Sequence, residues 1–438
     1  MNRFLSNYLF FYPATLLKGE PIPFLIGSYR SMQWQSKEEI NCYQRRKFKE
    51  ILEFSYKNSE FHKNRLRDAG LKLEEIRRLN SFDTLPTMSK FDLIDQLPSI
   101  RSKKLGLLSV SKTTGGSTGE PVKLFKNPMA LARERCATAR AYEWANLRMG
   151  DPQLRFWGVP HSELLSNRAK LVDLISNRKR ISAFDITEKS LEEYYQNALR
   201  FKPRYIYGYV SAISEFADFI ISRGYDPIHS LRSVITTSEI LTGSARKIIE
   251  DAFKVKVFNE YGCGEVGSIA HECPAGNMHI MAENLFVEVD EGGELIVTDF
   301  FNKLTPVIRY RLGDFGVVSD RICECGRGLP IIEQIHGRAY DMIKLAGGKK
   351  VHPESVIYVF ESLQSSSNQF KKFQVVQESE DKMTVNVIPN NNWTENVGQK
   401  LIENLRRCIG NNVSFNLKLV ETLERERSGK TRVVKSEI

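Results

Sequence analysis

Nine residues from Thr113 to Pro121, TTGGSTGEP, hold three glycines and four hydroxyls between two segments that read as strands. A backbone that bends this freely can turn successive N–H groups and Ser/Thr hydroxyls toward a phosphate. The run is not a Walker loop: the GxxxxGK[ST] spacing is absent, and the nearest lysine, Lys123, lies beyond Glu120 and Pro121. Taken alone it reads equally as a flexible surface turn. A second group of reactive side chains comes later. Cys273 and His279 have five residues between them, and Cys323 and Cys325 bracket Glu324. Three thiols and an imidazole make a complete ligand set for tetrahedral zinc, closed and therefore structural. The alternative is a set of free buried thiols, with His271 and His336 as other possible ligands.

Four further stretches follow the glycine run in a fixed order: NEYGCGEVG at 259–267, YRLGD at 310–314, HGRAYDMIKLAGGKKVHPES at 336–355 and RERSGKTR at 425–432. In order and chemistry the chain resembles the adenylate-forming superfamily of acyl-CoA synthetases, and especially its phenylacetate-CoA ligase and CapK-like branch of bacterial polysaccharide gene clusters. The resemblance implies a two-step ligase. A carboxylate attacks the α-phosphate of Mg·ATP to give an acyl-adenylate and pyrophosphate, and a thiol or amine then captures the acyl group. It also implies roles for residues. Thr113, Thr114, Ser117 and Thr118 would donate to the β- and γ-phosphates, with Gly115, Gly116 and Gly119 permitting close approach. Glu265 would hold magnesium, a hard cation that prefers oxygen. Tyr261 would stack on adenine beside Asn259 and Gly262, and Ser238 and Glu239 would face the adenine or ribose. Asp314 would take both ribose hydroxyls, and Arg338 would sit near the ribose and α-phosphate. Lys430 would bridge the acyl carboxylate and the α-phosphate. Lys430, Glu265 and Arg338 form the expected catalytic set. Some CapK-like relatives resemble the Cys/His arrangement as well.

Two positions depart from the family pattern. Gly264 stands where Thr or Ser often precedes the glutamate, so that α-phosphate contact falls to backbone, to Cys263 or to nothing. Tyr340 followed by Asp341 stands where the family carries its hinge residue. Coenzyme A is the leading acceptor; an amine in polysaccharide assembly is the alternative within the fold, and a non-catalytic nucleotide-binding protein is the reading from another class. The acyl pocket is expected from Arg155–His161, Ile206–Ser211 and Ser233–Leu241, without specifying the acid.

The elements that must position these residues read as alternating strands and helices. Pro128–Met149, Glu188–Arg200, Ser211–Ser222 and Gly243–Phe253 read as helices, and Gln153–Val159, Tyr205–Tyr207, Ser233–Thr237 and Val255–Asn259 as strands. From Leu285 to Val318 the runs become short and extended, as in a β-rich subdomain or barrel. The expected fold is α/β: a large layered N-terminal domain over 1–336 with that β-rich subdomain, and a small α+β C-terminal domain over 337–438, which the resemblance makes a mobile lid. With 438 residues, a large domain with a smaller companion is the default. Lys and Arg exceed Asp and Glu by 63 to 53, which suits an anionic ligand. The basic clusters Arg45–Lys49 and Arg178–Arg180 lack aromatic interleaving and read as solvated helix faces, so no nucleic-acid partner is expected. Seven cysteines without an export signal fit the reducing cytoplasm. Leu5–Leu17 is apolar and aromatic but broken by Pro13, and reads as a packed or interfacial arm, not a signal peptide or membrane span. Oligomeric state is left open.

Overall fold

In the computed structural model the described residues are 3–79, 81–102, 109–113, 122–158, 170–183, 186–319, 321–338, 343–348, 350–351, 355–357, 359–360, 362–363, 369–424 and 432–438. Strands β1 (Val110–Thr113) and β2 (Lys123–Lys126) pair antiparallel as the two stems of the glycine run. Next come β3 (Gln153–Trp157), β4 (Arg178–Ser182), β5 (Tyr205–Tyr209), β6 (Ser233–Thr237) and β7 (Val257–Cys263), all parallel. The chain then turns back through β8 (Gly267–Glu272), β9 (Met278–Ile280), β10 (Leu285–Val289), β11 (Glu294–Asp299), β12 (Tyr310–Ser319) and β13 (Ile331–Arg338).

These strands form one 11-stranded sheet in the order β4-β3-β5-β6-β7-β8-β9-β13-β12-β11-β10. The β-rich run of the sequence is thus the antiparallel wing of the large sheet, joined to it where β13 pairs β9. In the parallel half, burial on both faces explains the lack of alternation: all five residues of β6 are buried. Helices Glu188–Phe201, Val210–Ser222 and Gly243–Phe253 cover one core cluster against β3, β5, β6 and β7. Helices Ile22–Met32 and Pro128–Trp144 share the other, against the antiparallel wing.

A separate four-stranded sheet lies at the C-terminal end. After the short pair β14 (Ile343–Lys344) and β15 (Lys350–Val351), strands β16 (Phe370–Ser379), β17 (Lys382–Pro389), β18 (Ser414–Leu419) and β19 (Val434–Ser436) pair in the order β18-β17-β16-β19. Helix Glu395–Ile409 supplies Leu401, Leu405 and Ile409 to this sheet's own core, with Val375, Val385 and Phe360.

Two local expectations are corrected. Arg178–Arg180 is strand β4, not a helix face, and both arginines are tied to the buried Asp173. The helix beginning at Pro128 stops at Trp144, short of Met149, because Asn146 adopts a left-handed φ of 58°. Among the described residues, no helix is long and apolar enough to cross a membrane.

Candidate active site

The chain runs from β3 outward to β4 and then returns to β5 on the other side of β3. A parallel sheet that reverses its strand order opens a crevice at the carboxyl ends of the diverging strands, where ligands of open α/β sheets sit. At those ends stand Trp157 of β3 and Tyr209 of β5, with ring centroids 4.6 Å apart. Gly208 lets β5 approach β3, since a Cβ there would lie 2.4 Å from the Phe156 carbonyl oxygen. The Arg155 guanidinium lies over Trp157 and Tyr207, at 4.6 and 4.8 Å.

Ser238 and Glu239 follow directly at the end of β6. Ser238 is exposed with a left-handed φ of 70°. The Glu239 carboxylate accepts from the Ser211 amide at 2.6 Å and the Ser211 hydroxyl at 2.9 Å, holding the first turn of the helix after β5. Asn259 on β7 accepts from the Thr236 hydroxyl at 3.2 Å and donates its amide to Glu272 at 2.8 Å.

At the end of β7 and in the turn after it, residues expected at the nucleotide converge. The Tyr261 hydroxyl donates to Asp314 at 2.7 Å, so the two positions read as adenine- and ribose-binding touch. Asp314 is the direct partner of Arg338 across the β12–β13 ladder. Glu265, in the turn between β7 and β8, accepts from the Tyr310 hydroxyl at 3.4 Å. That turn is tight: a Cβ on Gly262 would lie 2.4 Å from the Gly267 carbonyl oxygen. Burial, reinforced by Glu265, pushes the Cys263 thiol well above its usual range, so beside Gly264 it offers a weak S–H donor and no charge.

Thr113 ends β1, opposite Lys123 of β2, and the glycine run lies between these two stems. Thr114, Gly115, Gly116, Ser117, Thr118 and Gly119 lie outside the described residues, as do His161, Tyr340, Asp341 and Lys430; of Thr113 and Arg338 only the backbone is described. Gln374 of β16 nevertheless donates to the carbonyls of Glu424 at 3.2 Å and Arg432 at 3.0 Å, on either side of the segment that contains Lys430.

Sequence reasoning missed one positioning group. Glu134, on helix Pro128–Trp144, receives Lys112 of β1 at 3.1 Å and Lys126 of β2 at 2.9 Å. Burial alone would raise this carboxyl, but Lys126 and Lys112 hold it down to about 2. The same side chain packs under Gly267, where φ is 92° and a Cβ would lie 2.5 Å away. Glu134 thus braces both the stems of the glycine run and the turn that presents Glu265. The available signal was a lysine on each flank of the glycines.

The Cys/His set comes together behind this turn. The ligand atoms of Cys273, His279, Cys323 and Cys325 all lie within 4.8 Å of one another. Cys273 Sγ is 3.7 Å from Cys323 Sγ, close to the edge of about 3.8 Å that a tetrahedron with 2.3 Å zinc–sulfur bonds requires. His279 Nε2 is 3.2 Å from Cys325 Sγ, while Nδ1 meets the Leu329 carbonyl at 2.8 Å, which directs the Nε2 lone pair to the cluster. Burial lowers His279 to about 4, so the imidazole is neutral and able to ligate. His271 stands apart from the four, with Nδ1 3.9 Å from Glu260.

The family described as the CapK C-terminal domain matches residues 344–437. Protein CapK of Staphylococcus aureus is 25% identical over 401 residues, covering 89% of this chain and 87% of that protein. A phenylacetate-coenzyme A ligase of Thermus thermophilus is 25% identical over 346 residues, covering 73% of this chain and 75% of that protein. In fold, a 2-hydroxyisobutyryl-CoA ligase in the postadenylation state, in complex with R3-HIB-AMP, matches with a TM-score of 0.74 at 17% identity, over 93% of this chain and 91% of that one. The same ligase in the thioesterification state, over the same shares at 17% identity, matches with a TM-score of 0.59.

Proposed function

We propose that this chain, which belongs to the phenylacetate-CoA ligase and CapK-like branch of the adenylate-forming superfamily, is an ATP-dependent ligase that activates a carboxylic acid and passes the acyl group to coenzyme A. The observation that carries this reading is the meeting of Tyr261, Asp314 and the Arg338 position at the carboxyl edge of the sheet, one turn from Glu265. In the first half-reaction a carboxylate oxygen bonds to the α-phosphorus and the bond to pyrophosphate breaks. In the second, the thiol sulfur bonds to the acyl carbon, AMP leaves and the thiol proton is lost to solvent.

Tyr261 stacks on adenine while Asp314 accepts the ribose hydroxyls, which fixes the α-phosphorus relative to the acid. Thr113, Thr114, Ser117 and Thr118 hold the departing phosphates, and Ser238 and Glu239 border the nucleotide. Glu265 would hold magnesium, which when bound neutralises phosphate charge. Arg338 and Lys430 stabilise the charge that builds on the α-phosphate, Lys430 arriving from the C-terminal unit over 337–438. The aromatic crevice of Trp157 and Tyr209 takes the acyl chain. Cys273, His279, Cys323 and Cys325 would hold a structural zinc that ties β8 and β9 to the turn before β13.

Pyrophosphate exchange across a panel of carboxylic acids tests the reading. Exchange is expected with at least one acid and is abolished in Lys430→Ala, with ATP binding retained; no exchange with any acid overturns it in favour of a non-catalytic nucleotide-binding protein. Product mass with coenzyme A or with amines then identifies the acceptor. An amine remains the second reading, favoured by a fold likeness to an amide bond synthetase from Marinactinospora thermotolerans, with a TM-score of 0.51 at 16% identity over 73% of this chain and 67% of that one.

A further inference from the structure

The first helix of the chain is amphipathic the wrong way round. It runs as α over Arg3–Leu5, as a π-helix over Ser6–Phe11 and as α again over Tyr12–Leu17. Its docked face carries the buried Ser6, Asn7 and Thr15, with Phe11 and Tyr12 half-buried. Asn7 donates to the Met149 carbonyl at 2.5 Å, and Ser6 donates to the Ile175 carbonyl at 3.3 Å. The face turned to solvent carries Phe4, Tyr8, Leu9, Phe10, Leu16 and Leu17, with Phe4, Leu9 and Leu17 exposed by 63, 61 and 85%. Helices of soluble proteins place their apolar stripe inward, so an apolar face held outward by specific polar bonds marks a surface made for another apolar phase.

The patch continues beyond this helix. Ile175, which receives Ser6, ends a helix over 170–175 whose Leu171 and Leu174 are exposed, and Phe24 of helix Ile22–Met32 is 79% exposed. Its charge is one-sided. Residues 3–19 include Arg3 and Lys18 and no acidic residue. Among the described residues the nearby carboxylates are matched by arginines: Glu20 by Arg135, Glu143 by Arg30, Asp151 by Arg3, and Asp173 by Arg178 and Arg180. Exposed Lys18 and Lys170 add positive charge beyond those pairs.

We propose that this surface seats the protein on an anionic lipid bilayer, with the outward face of the first helix lying in the interface between headgroups and acyl chains. Apolar and aromatic side chains rimmed by Lys and Arg, on an element that does not span, are the chemistry of an interfacial helix. The charge favours lipid over a second copy of this chain, because a two-fold contact would set the basic rim against itself.

Sedimentation of the full-length protein with vesicles provides the test, using phosphatidylcholine alone or mixed with phosphatidylglycerol. The protein is expected to co-sediment with the phosphatidylglycerol vesicles and to release as salt is raised. Leu9→Glu/Leu17→Glu should weaken binding at least about tenfold without lowering the melting temperature, since both side chains are exposed. Lys18→Glu should weaken binding at low salt while leaving the apolar face intact. A wild-type protein that stays in the supernatant with both vesicle types overturns the proposal. So does a Leu9→Glu/Leu17→Glu variant that binds like wild type, or a concentration-dependent dimer that this variant abolishes in the absence of lipid binding.

Discussion

Asp314 is buried and accepts from the Tyr261 hydroxyl at 2.7 Å. In the proposed role this carboxylate, with about four acceptor sites, would also take the ribose hydroxyls, and a hydrogen bond to a charged group contributes about 1.5–3 kcal/mol. Asp314→Asn is therefore expected to raise KM for ATP by about ten- to a hundredfold at little cost to kcat; an unchanged KM in steady-state pyrophosphate exchange would remove Asp314 from the nucleotide site. At this scale Tyr261, Glu265 and Asp314 were named from the resemblance of their motifs, since alone each reads as an ordinary turn or strand residue; the structure adds that Tyr261 and Asp314 touch. Glu239 was legible only in part: its bonds to Ser211 depend on β5 and β6 ending side by side, and no spacing along the chain encodes that. Glu134 was invisible because a glutamate on a helix is ordinary until Lys112, Lys126 and Gly267 arrive around it.

Strands and helices of the parallel half follow from apolar runs and their breaks, and Ser233–Thr237 and Gly243–Phe253 match the sequence reading residue for residue. The short strands β8 and β9 escaped it. They hold only six and three residues around the prolyl turn at Cys273–Pro274, too few for a periodic signal. Besides their ladders to β7 and β13, the thiol–imidazole cluster joins this hairpin to residues about 50 positions later. A bound ion there would act as a cross-link between the hairpin behind Glu265 and the approach to β13. The full chain purified without added metal is expected to carry about one equivalent of zinc by elemental analysis, and Cys325→Ser to lose it with a lower melting temperature. A metal-free protein that melts at the same temperature as the zinc-supplemented one would sink the zinc assignment.

Among the described residues, two ion pairs link the four-stranded sheet to a helix packed on the large one. Lys372 of β16 reaches Glu215 at 2.6 Å, and Lys371 reaches Asp218 at 3.7 Å, both acids being on helix Val210–Ser222. As an extension of the proposed function, we infer that these pairs hold the arrangement used for adenylation. Partly exposed pairs contribute up to about 1 kcal/mol, so Glu215→Lys should slow pyrophosphate exchange by no more than about fivefold. Thioester formation from supplied acyl-adenylate should not slow, and Glu215→Lys/Lys372→Glu should restore exchange. Equal exchange rates in wild type and Glu215→Lys would mean that the pairs do not bias the arrangement. The two-part architecture was readable from the change of texture after His336, whereas the continuity of the large sheet was not. Pairing of β13 with β9 joins residues more than 50 positions apart, and local pattern carries no record of it.

The amide of Gln374, which grips the carbonyls of Glu424 and Arg432, also sets a tether length. Lys430 is two residues from the anchored Arg432, and two residues of extended chain span at most about 7 Å. In the proposed function, any travel of the Lys430 ammonium beyond that chain length and its own side chain would fall to the four-stranded sheet moving as a lever, with the lysine as its tip. The distance covered by the tip then measures the swing of the lever.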